Sequence, residues 1–467
     1  MSVSWTTLGE VWIAVEWAIR VTVLLVVPFR RPPEASRSWL LLFFFLPIPA
    51  LVLYRLIGRP HLPSWRAERF ARVRPMMRTV AEALPPAGVG GMAQIARLAE
   101  QLGGFAPTAG ARIAYISRYR ETIDRLVDDI DAAEREVHIL AFIFADDATG
   151  RRVADALGRA AARGVQTRVL LDAVGSRAWA RNSLAMLAER GVRAQLVLPI
   201  VWARLRRARA DLRNHRKLFL IDGRIGYVGS QNIVNRDFRE GVVNEELVAR
   251  VEGPVVAAMG ALFAADWYLE TRETLPLRPV PEPAGAAVTQ LMPSGPDYRL
   301  PGFERLLVSL IHAAERRVVI TSPYLIPDEA LLAAMETAVL RGVAVEVIVS
   351  RVIDQRLVSY AQRSYYADLL RAGVTIHRYR ERLLHAKHVS IDGVVGVIGS
   401  SNADIRSFML NAEVSLILYD AAAVAALEQI QQSYVRTCDL LDADEWRRRP
   451  WWRKLAENLA RLVSPLL

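Results

Sequence analysis

The chain holds one cysteine, Cys438, in 467 residues, so no disulfide can form within it and nothing in the fold depends on an oxidising compartment. Histidine is scarce as well. The seven are His61, His138, His215, His312, His377, His385 and His388, and none belongs to a Cys/His or H-E-x-x-H cluster that would hold zinc. A P-loop and a dinucleotide fingerprint are both lacking, which sets nucleotide-driven and nicotinamide chemistry aside. The expected chemistry therefore uses no metal and no cofactor. Aromatic residues interleaved with basic ones, as base stacking requires, are few, so nucleic acid is not an expected partner. The net charge of +11, from 60 Lys+Arg against 49 Asp+Glu, is assigned instead to an anionic membrane surface.

What the chain does have is one pattern written twice. NHRKLFLIDG carries His215, Lys217 and Asp222, and LHAKHVSIDG carries His385, Lys387 and Asp392; both read H-x-K-x-x-x-x-D. Six residues separate each Asp from a G-S-x-N, with Ser230 and Asn232 in the first copy and Ser400 and Asn402 in the second. Arg236 and Phe238 follow Asn232 at the spacing at which Arg406 and Phe408 follow Asn402, and an N-x-E closes each copy at Asn244/Glu246 and Asn411/Glu413. Agreement this far beyond the core pattern makes internal duplication the economical reading.

Apolar runs flank each motif, so each His-x-Lys is predicted to sit on a strand, with imidazole and ammonium on one face. An imidazole beside an ammonium, followed by Ser and Asn donors, suits a phosphate or sulfate group. If the halves pack about a pseudo-twofold axis, one histidine can attack phosphorus while the other serves as acid and then base. Lys217, Lys387, Ser230, Ser400, Asn232 and Asn402 are expected to stabilise charge on the non-bridging oxygens. Glu246 and Glu413 are the candidates for holding the second nitrogen of each imidazole. Asp222 and Asp392 fall on the opposite parity and are expected to support the motif structurally.

The repeats resemble the HKD motifs of the phospholipase D superfamily and, more narrowly, its bacterial cardiolipin synthase branch. The narrower likeness rests on LPIPALVLYRLIGRP, VHILAFIFADDATG, RGVQTRVLLDAVGS, TSPYLIPDEALL, NADIRSFMLNAEVSL and LARLVSPLL, spread from about residue 40 to the end. It implies His215, Lys217, Asp222, His385, Lys387 and Asp392 as the catalytic set, a phosphohistidine intermediate and no metal. It also implies phosphatidylglycerol as substrate, cardiolipin as product and release of glycerol. Hydrolysis to phosphatidic acid, or transfer from another donor lipid, stays open. Arg216 departs from the small residue, Ala386, of the second motif. The Asn-to-Glu spacing differs as well, 14 residues against 11.

The expected architecture is α/β: two tandem phospholipase D-like α/β sandwich repeats with pseudo-twofold symmetry, preceded by a transmembrane helical hairpin. The expected segments are an anchor over 1–57 (apolar about 11–29 and 39–57), an amphipathic connector over 58–110, a first repeat over 111–275, a Pro-rich linker over 276–286 and a second repeat over 287–467. Arginines after the second apolar segment, Arg55, Arg59, Arg66, Arg69, Arg72 and Arg74, outweigh Arg30, Arg31 and Arg37 in the connection between the segments. Positive-inside reasoning then places the catalytic repeats in the cytoplasm, on a multi-pass protein of the bacterial inner membrane. Two basic patches are candidate headgroup contacts: Arg204, Arg206, Arg207, Arg209 and Arg213, and Arg447 to Lys454 with Trp451 and Trp452. Phe144, Tyr324, Tyr365 and Tyr366 are candidate pocket walls, with core packing as their default.

Overall fold

The computed structural model describes residues 5–30, 33–58, 64–199 and 211–462. Two compact units emerge, one built from the N-terminal residues to Ser64 and one holding nearly all the rest. In the first, helices Trp5–Arg30, Pro33–Phe45 and Pro47–Ile57 pack around Val23, Val27, Phe43 and Ala50. Among the described residues one helix is long and apolar enough to cross a membrane, Gly9–Arg30, with mean hydropathy 1.8. Its Arg20 pairs with Glu16 one turn away at 3.1 Å, so the two charges within the apolar run satisfy each other. The second apolar segment is not one continuous helix as expected. It breaks at Leu46, because Pro47 has no N–H to continue the preceding helix and instead opens a new one.

The larger unit is a mixed α/β assembly. Its first-half strands are β1 (Thr108–Ile116), β2 (Glu136–Ala141), β3 (Gln166–Asp172), β4 (Arg193–Val197), β5 (Arg213–Asn214), β6 (Leu218–Ile221), β7 (Ile225–Gly229), β8 (Asn244–Glu245) and β9 (Val248–Glu252). The second half supplies β10 (Ala287–Ser294), β11 (Arg317–Thr321), β12 (Leu325–Ile326), β13 (Ala344–Ser350), β14 (Thr375–Tyr379), β15 (Leu383–Leu384), β16 (His388–Ile391), β17 (Val395–Gly399), β18 (Ala403–Asp404), β19 (Asn411–Leu418) and β20 (Cys438–Leu440). Outward from the antiparallel β1–β10 contact the order is β9-β7-β6-β2-β3-β4 on one side and β19-β17-β16-β11-β13-β14-β20 on the other. On both sides the inner strands are antiparallel, while β2-β3-β4 and β11-β13-β14 are parallel. Parallel neighbours need crossovers, and helices Ala148–Ala162, Ala180–Glu189, Glu329–Leu340 and Arg356–Arg371 supply them.

Strand alternation sorts residues into two faces. Val137, Ile139 and Ala141 of β2 meet the helices Tyr119–Asp131 and Ala148–Ala162, whereas His138 faces the opposite way and stacks on Phe263 of helix Val255–Thr271 at 4.6 Å. In the second half Val389 and Ile391 join the core with helices Gly302–Ala313 and Arg356–Arg371. Ser390 bonds instead to Gln431 of helix Ala421–Val435 at 2.7 Å. Helices thus cover both faces of each sheet portion. Asp147 and Asp328 cap two of these helices, each side chain accepting a backbone N–H at 2.9 Å.

Several expectations are corrected here. Strand β1 begins at Thr108, within the last residues of the stretch expected as connector. Arg66, counted among the orienting arginines, is buried against Glu270 (2.7 Å) and Asp297 (3.0 Å). Arg213 is buried against Asp172 rather than solvated. The rest of its patch, Arg204, Arg206, Arg207 and Arg209, lies outside the described residues, as do Arg31 and Arg59. Phe144, Tyr365 and Tyr366 belong to the core.

Asp222 and Asp392 open the turns that join β6 to β7 and β16 to β17, both with positive φ (53° and 56°). The Asp222 carboxylate accepts the backbone N–H groups of Glu134, Arg135 and Glu136 at 2.8–2.9 Å. Asp392 does the same for Glu315, Arg316 and Arg317 at 2.7–2.8 Å. Each carboxylate therefore pins the start of a central strand, β2 or β11, to the end of its motif. Asp392→Ala should lower unfolding stability by about 2–3 kcal/mol, because three donors lose an ionised acceptor. Asp392→Asn should lose less, since Asn tolerates the left-handed conformation and keeps one acceptor. Thermal unfolding of the three proteins checks the ranking.

Candidate active site

His215 and Lys217 occupy the gap between β5 and β6, and His385 and Lys387 the gap between β15 and β16. The expected unbroken strands are corrected for a topological reason. β5 pairs with β19 of the second half while β6 pairs with β2 of the first; β15 pairs with β8 of the first half while β16 pairs with β11 of the second. Each motif passes from one half's strand to the other half's sheet, and the ladder must lapse between them. His215 N–H donates to the Ala412 carbonyl at 2.8 Å and His385 N–H to the Glu245 carbonyl at 2.7 Å, so each histidine is stitched to the opposite half.

The side chains cross over in the same sense. His215 Nδ1 lies 3.0 and 3.1 Å from the Glu413 carboxylate oxygens, and His385 Nδ1 lies 2.8 and 2.9 Å from those of Glu246. An ionised carboxylate only accepts, so Nδ1 holds the proton and Nε2 keeps its lone pair. Asn411 and Asn244 donate to the same two glutamates, which gives the N-x-E pattern its physical content. Lys217 Nζ donates to the His215 carbonyl at 2.7 Å, and Lys387 Nζ to the His385 carbonyl. Phe142 presents its ring to His215 edge-on at 4.8 Å and lies 5.2 Å from Lys217 Nζ, so imidazole and ammonium share one side.

The serines were expected to face phosphate. Their hydroxyls are instead turned to the carboxylates and the neighbouring strand: Ser400 Oγ donates to Glu413 at 2.5 Å, and Ser230 Oγ lies on the Leu247 backbone and supports Glu246. The glycine before each serine exists because a Cβ there would collide with the carbonyl of Leu247 or Val414. Asn232 uses its amide oxygen to accept the Ile143 N–H at 3.1 Å. Asn402 lies in the wall of a cleft of about 690 Å³ with its amide oxygen buried and unpaired. His215, Arg213, Arg239, Arg406, Tyr324, Asn411, Phe142 and Trp179 line the same cleft. A slightly larger cavity of about 760 Å³, next to Asp222 and the proline-rich segment, contains neither motif histidine.

Burial governs the electrostatics. Loss of hydration pulls both imidazoles down to about 4; Glu413 and Glu246 oppose the shift, and the lysines beside them add to it. Burial likewise lowers Lys217 to about 7 and Lys387 to about 8, against the pull of both glutamates. For the glutamates burial acts upward, but His215 on Glu413 and His385 on Glu246 outweigh it and hold each carboxyl below its usual range. At neutral pH the site thus carries neutral imidazoles and ionised carboxylates.

Sequence reasoning passed over the residues behind His215. Asp172 accepts the Asn214 N–H at 3.0 Å and pairs with Arg213 at 3.5 Å. Arg216, noted only as a departure from the second motif, forms a buried pair with Asp266 at 2.6 and 2.7 Å and donates to the Glu413 carbonyl at 3.0 Å. An arginine inside an apolar strand pattern, with an unmatched Asp in the apolar helix Val255–Thr271, was the available signal.

A family model described as the phospholipase D-like domain of cardiolipin synthase matches the chain twice, over residues 126–267 and 307–434. The class is therefore phospholipase D-like. The cardiolipin synthases A of Erwinia tasmaniensis and Edwardsiella ictaluri are 33% and 32% identical to it, over 99% and 100% of this chain and 98% and 99% of theirs. That of Yersinia pseudotuberculosis is 32% identical over 100% of this chain and 99% of its own. The chain belongs to the cardiolipin synthase family and is a phosphatidyltransferase of the phospholipase D type. In fold it is similar to a phosphatidylserine synthase of Haemophilus influenzae, with a TM-score of 0.60 at 14% identity over 80% of this chain and 99% of that one. A polyphosphate kinase of Porphyromonas gingivalis gives a TM-score of 0.50 at 13% identity, covering 72% and 49%.

Glu413→Gln should leave the fold intact but lower kcat at least about a hundredfold, because the amide can present an N–H to Nδ1 and favour the wrong tautomer. Steady-state rates, with thermal unfolding as control, check this. The histidines also make stability depend on pH. Their folded pKa lies below the unfolded value, so their contribution is complete above about 6.5 and is lost as pH falls through about 4. Stability of the purified protein should drop by on the order of 2 kcal/mol per histidine across that window. A His215→Asn/His385→Asn double variant should drop less when both are unfolded at pH 6.5 and pH 4.5.

Proposed function

We propose that the enzyme joins two phosphatidylglycerol molecules into cardiolipin at one site made by both halves, through a phosphohistidine. The observation that carries this reading is the reciprocal pair, His215 on Glu413 and His385 on Glu246, each with an unprotonated Nε2. His215 attacks the phosphorus of the first lipid; a P–N bond forms, the P–O bond to glycerol breaks, and His385, which takes up a proton at Nε2 once the anionic phosphodiester is bound beside it, gives that proton to the departing oxygen. A hydroxyl of the second phosphatidylglycerol then loses its proton to His385 and attacks the same phosphorus, which breaks the P–N bond and frees His215. The near-equivalence of the two pairs allows these roles to be exchanged. Lys217 and Lys387 balance charge on the non-bridging oxygens, and an anion bound beside them raises both pKa values so that each is fully charged when needed. The unpaired amide oxygens of Asn402 and Asn411 are ready acceptors for glycerol hydroxyls. No step requires a metal.

The two matches of one family model and the mirrored strand order support tandem repeats related by a pseudo-twofold axis, with Asp222 and Asp392 as structural members of the motifs. The apolar helix Gly9–Arg30, with the broken segment after it as a shorter return, supports an inner-membrane hairpin anchor. Arg55, Arg69, Arg72 and Arg74 on its C-terminal flank favour catalytic repeats in the cytoplasm.

The test is mass-spectrometric product analysis of the purified protein with phosphatidylglycerol in mixed micelles containing EDTA. Cardiolipin and glycerol are expected from the parent, and His215→Ala or His385→Ala should cut the rate by at least about 10⁴-fold. Phosphatidic acid in place of cardiolipin would make the enzyme a hydrolase, and activity restored only by added metal would overturn the mechanism.

A further inference from the structure

The C-terminal helix Trp451–Leu462 is amphipathic in the wrong sense for a water-facing surface. Four-residue spacing sets Trp451, Leu455 and Leu459 in one row, with Trp452 and Leu462 beside it. All five lie outward, 49–76% exposed. The charged face is turned inward: Glu457, 2% exposed, receives Arg449 at 2.7 and 3.0 Å and Arg363 at 3.1 Å. Arg461 reaches Asp368 at 2.8 Å and lies 4.1 Å from the Tyr365 ring centroid. Buried ion pairs thus fix the helix so that its apolar row cannot turn into the core.

We infer that this outward row docks into an anionic phospholipid surface, lying in the interface beside the mouth of the catalytic cleft. Charge at the rim favours that partner over a second apolar protein face. Arg448 and Arg453 are exposed, Arg453 lies over the Trp452 ring at 5.1 Å, and Arg447, though paired with Asp444, stays in solvent. Guanidinium next to indole at the edge of an apolar stripe matches the boundary between headgroups and acyl chains. The position is also apt. Helix Arg356–Arg371 runs in the same direction as the C-terminal helix, since Arg363 meets Glu457 and Asp368 meets Arg461. The Trp451 end therefore lies toward the end of Arg356–Arg371 that supplies Gln355 and Val358 to the cleft wall. There Ile353, Leu357 and Tyr360 are likewise 43–47% exposed, which extends the apolar surface toward the site. A lipid could then present its phosphate to the cleft while its acyl chains stay in the bilayer.

For its choice of partner this docking rests on the lipid-transfer reading above. The test uses the full chain, with Cys438→Ser so that single spin labels can be placed at Leu455→Cys, Leu459→Cys and, as an exposed control, Glu336→Cys. On phosphatidylcholine vesicles containing phosphatidylglycerol, labels at 455 and 459 should collide with oxygen in preference to a water-soluble nickel complex. The label at 336 should show the reverse. Labels at 455 and 459 as open to nickel as the control would overturn the docking, as would shielding that follows protein concentration instead of lipid. Leu455→Glu/Leu459→Glu should slow transfer between phosphatidylglycerol molecules in bilayers about tenfold while leaving short-chain substrate in micelles unaffected. Equal rates in bilayers would overturn any role for docking in catalysis. Embedded labels on a parent that makes no cardiolipin would uphold the docking and sink the transfer reading alone.

Discussion

The site depends on a hydrogen bond that each half of the chain makes for the other. A histidine of one motif is usable only when its Nδ1 faces a carboxylate, and the partners are separated by 198 residues for His215 and Glu413 and by 139 for His385 and Glu246. Two short parallel pairings, β5 on β19 and β15 on β8, set these contacts from the backbone. They carry the His215 amide onto β19, which bears Glu413, and the His385 amide onto β8, which Glu246 directly follows. Neither half by itself would orient an imidazole. The β1–β10 contact that joins the two sheet portions is itself short, two register pairs with a shift between them, so the paired halves are held at the site by these further crossings.

The members of the candidate site were legible in the sequence because they are residue types at fixed local spacing. His-x-Lys, G-S-x-N and N-x-E were all visible, and alternation of strands and helices was enough for an α/β fold. The crossover was not legible. Local periodicity reports the face of a residue, not which half supplies its partner, and so Glu246 and Glu413 could be nominated without being assigned to a histidine. The interrupted strand escaped for the same reason: apolar Leu218–Ile221 reads as continuous with Lys217, although the change of partner strand ends the ladder there. Serine next to a functional asparagine reads as a phosphate donor, yet Ser400 spends its proton on Glu413. Hydropathy also joined Trp39 to Ile57 across Leu46, where the missing N–H of Pro47 divides them.

The two halves are not equivalent around their histidines. Arg216 has its guanidinium locked between Asp266 and the Glu413 carbonyl, while Ala386 brings nothing to the corresponding place. A fully buried ion pair contributes little net stability after desolvation, but losing one partner leaves an uncompensated charge. Asp266 and Arg216 therefore constrain geometry more than they stabilise the fold. The strand carrying Glu413 is held by the buried Arg216, whereas the segment leading to Glu246 is held by the half-buried Arg236, which donates to the Asn244 carbonyl at 2.7 Å and to the Glu245 carboxylate. In the proposed transfer, which needs one histidine to attack and the other to shuttle protons, a difference of this kind would be a physical basis for unequal roles.

The choice of lysine at the site follows from the same burial. The chain has only three lysines, Lys217, Lys387 and Lys454, although Lys and Arg together number 60, and two of the three flank the motif histidines. Arginine keeps its charge in any protein environment, so two guanidiniums buried together in an empty cleft would be repelled and poorly solvated. Lysine can shed its proton, and burial has brought Lys217 to about 7 and Lys387 to about 8. Before substrate arrives the site can relax toward lower charge, which limits the cost of holding two cations close together without hydration. In the proposed transfer, a phosphodiester between them would restore the full charge at the place where negative charge then develops. On that reading the ammonium groups would serve as a reserve that the anion itself calls up, a physical reason for lysine at two buried positions in a chain that elsewhere relies on arginine.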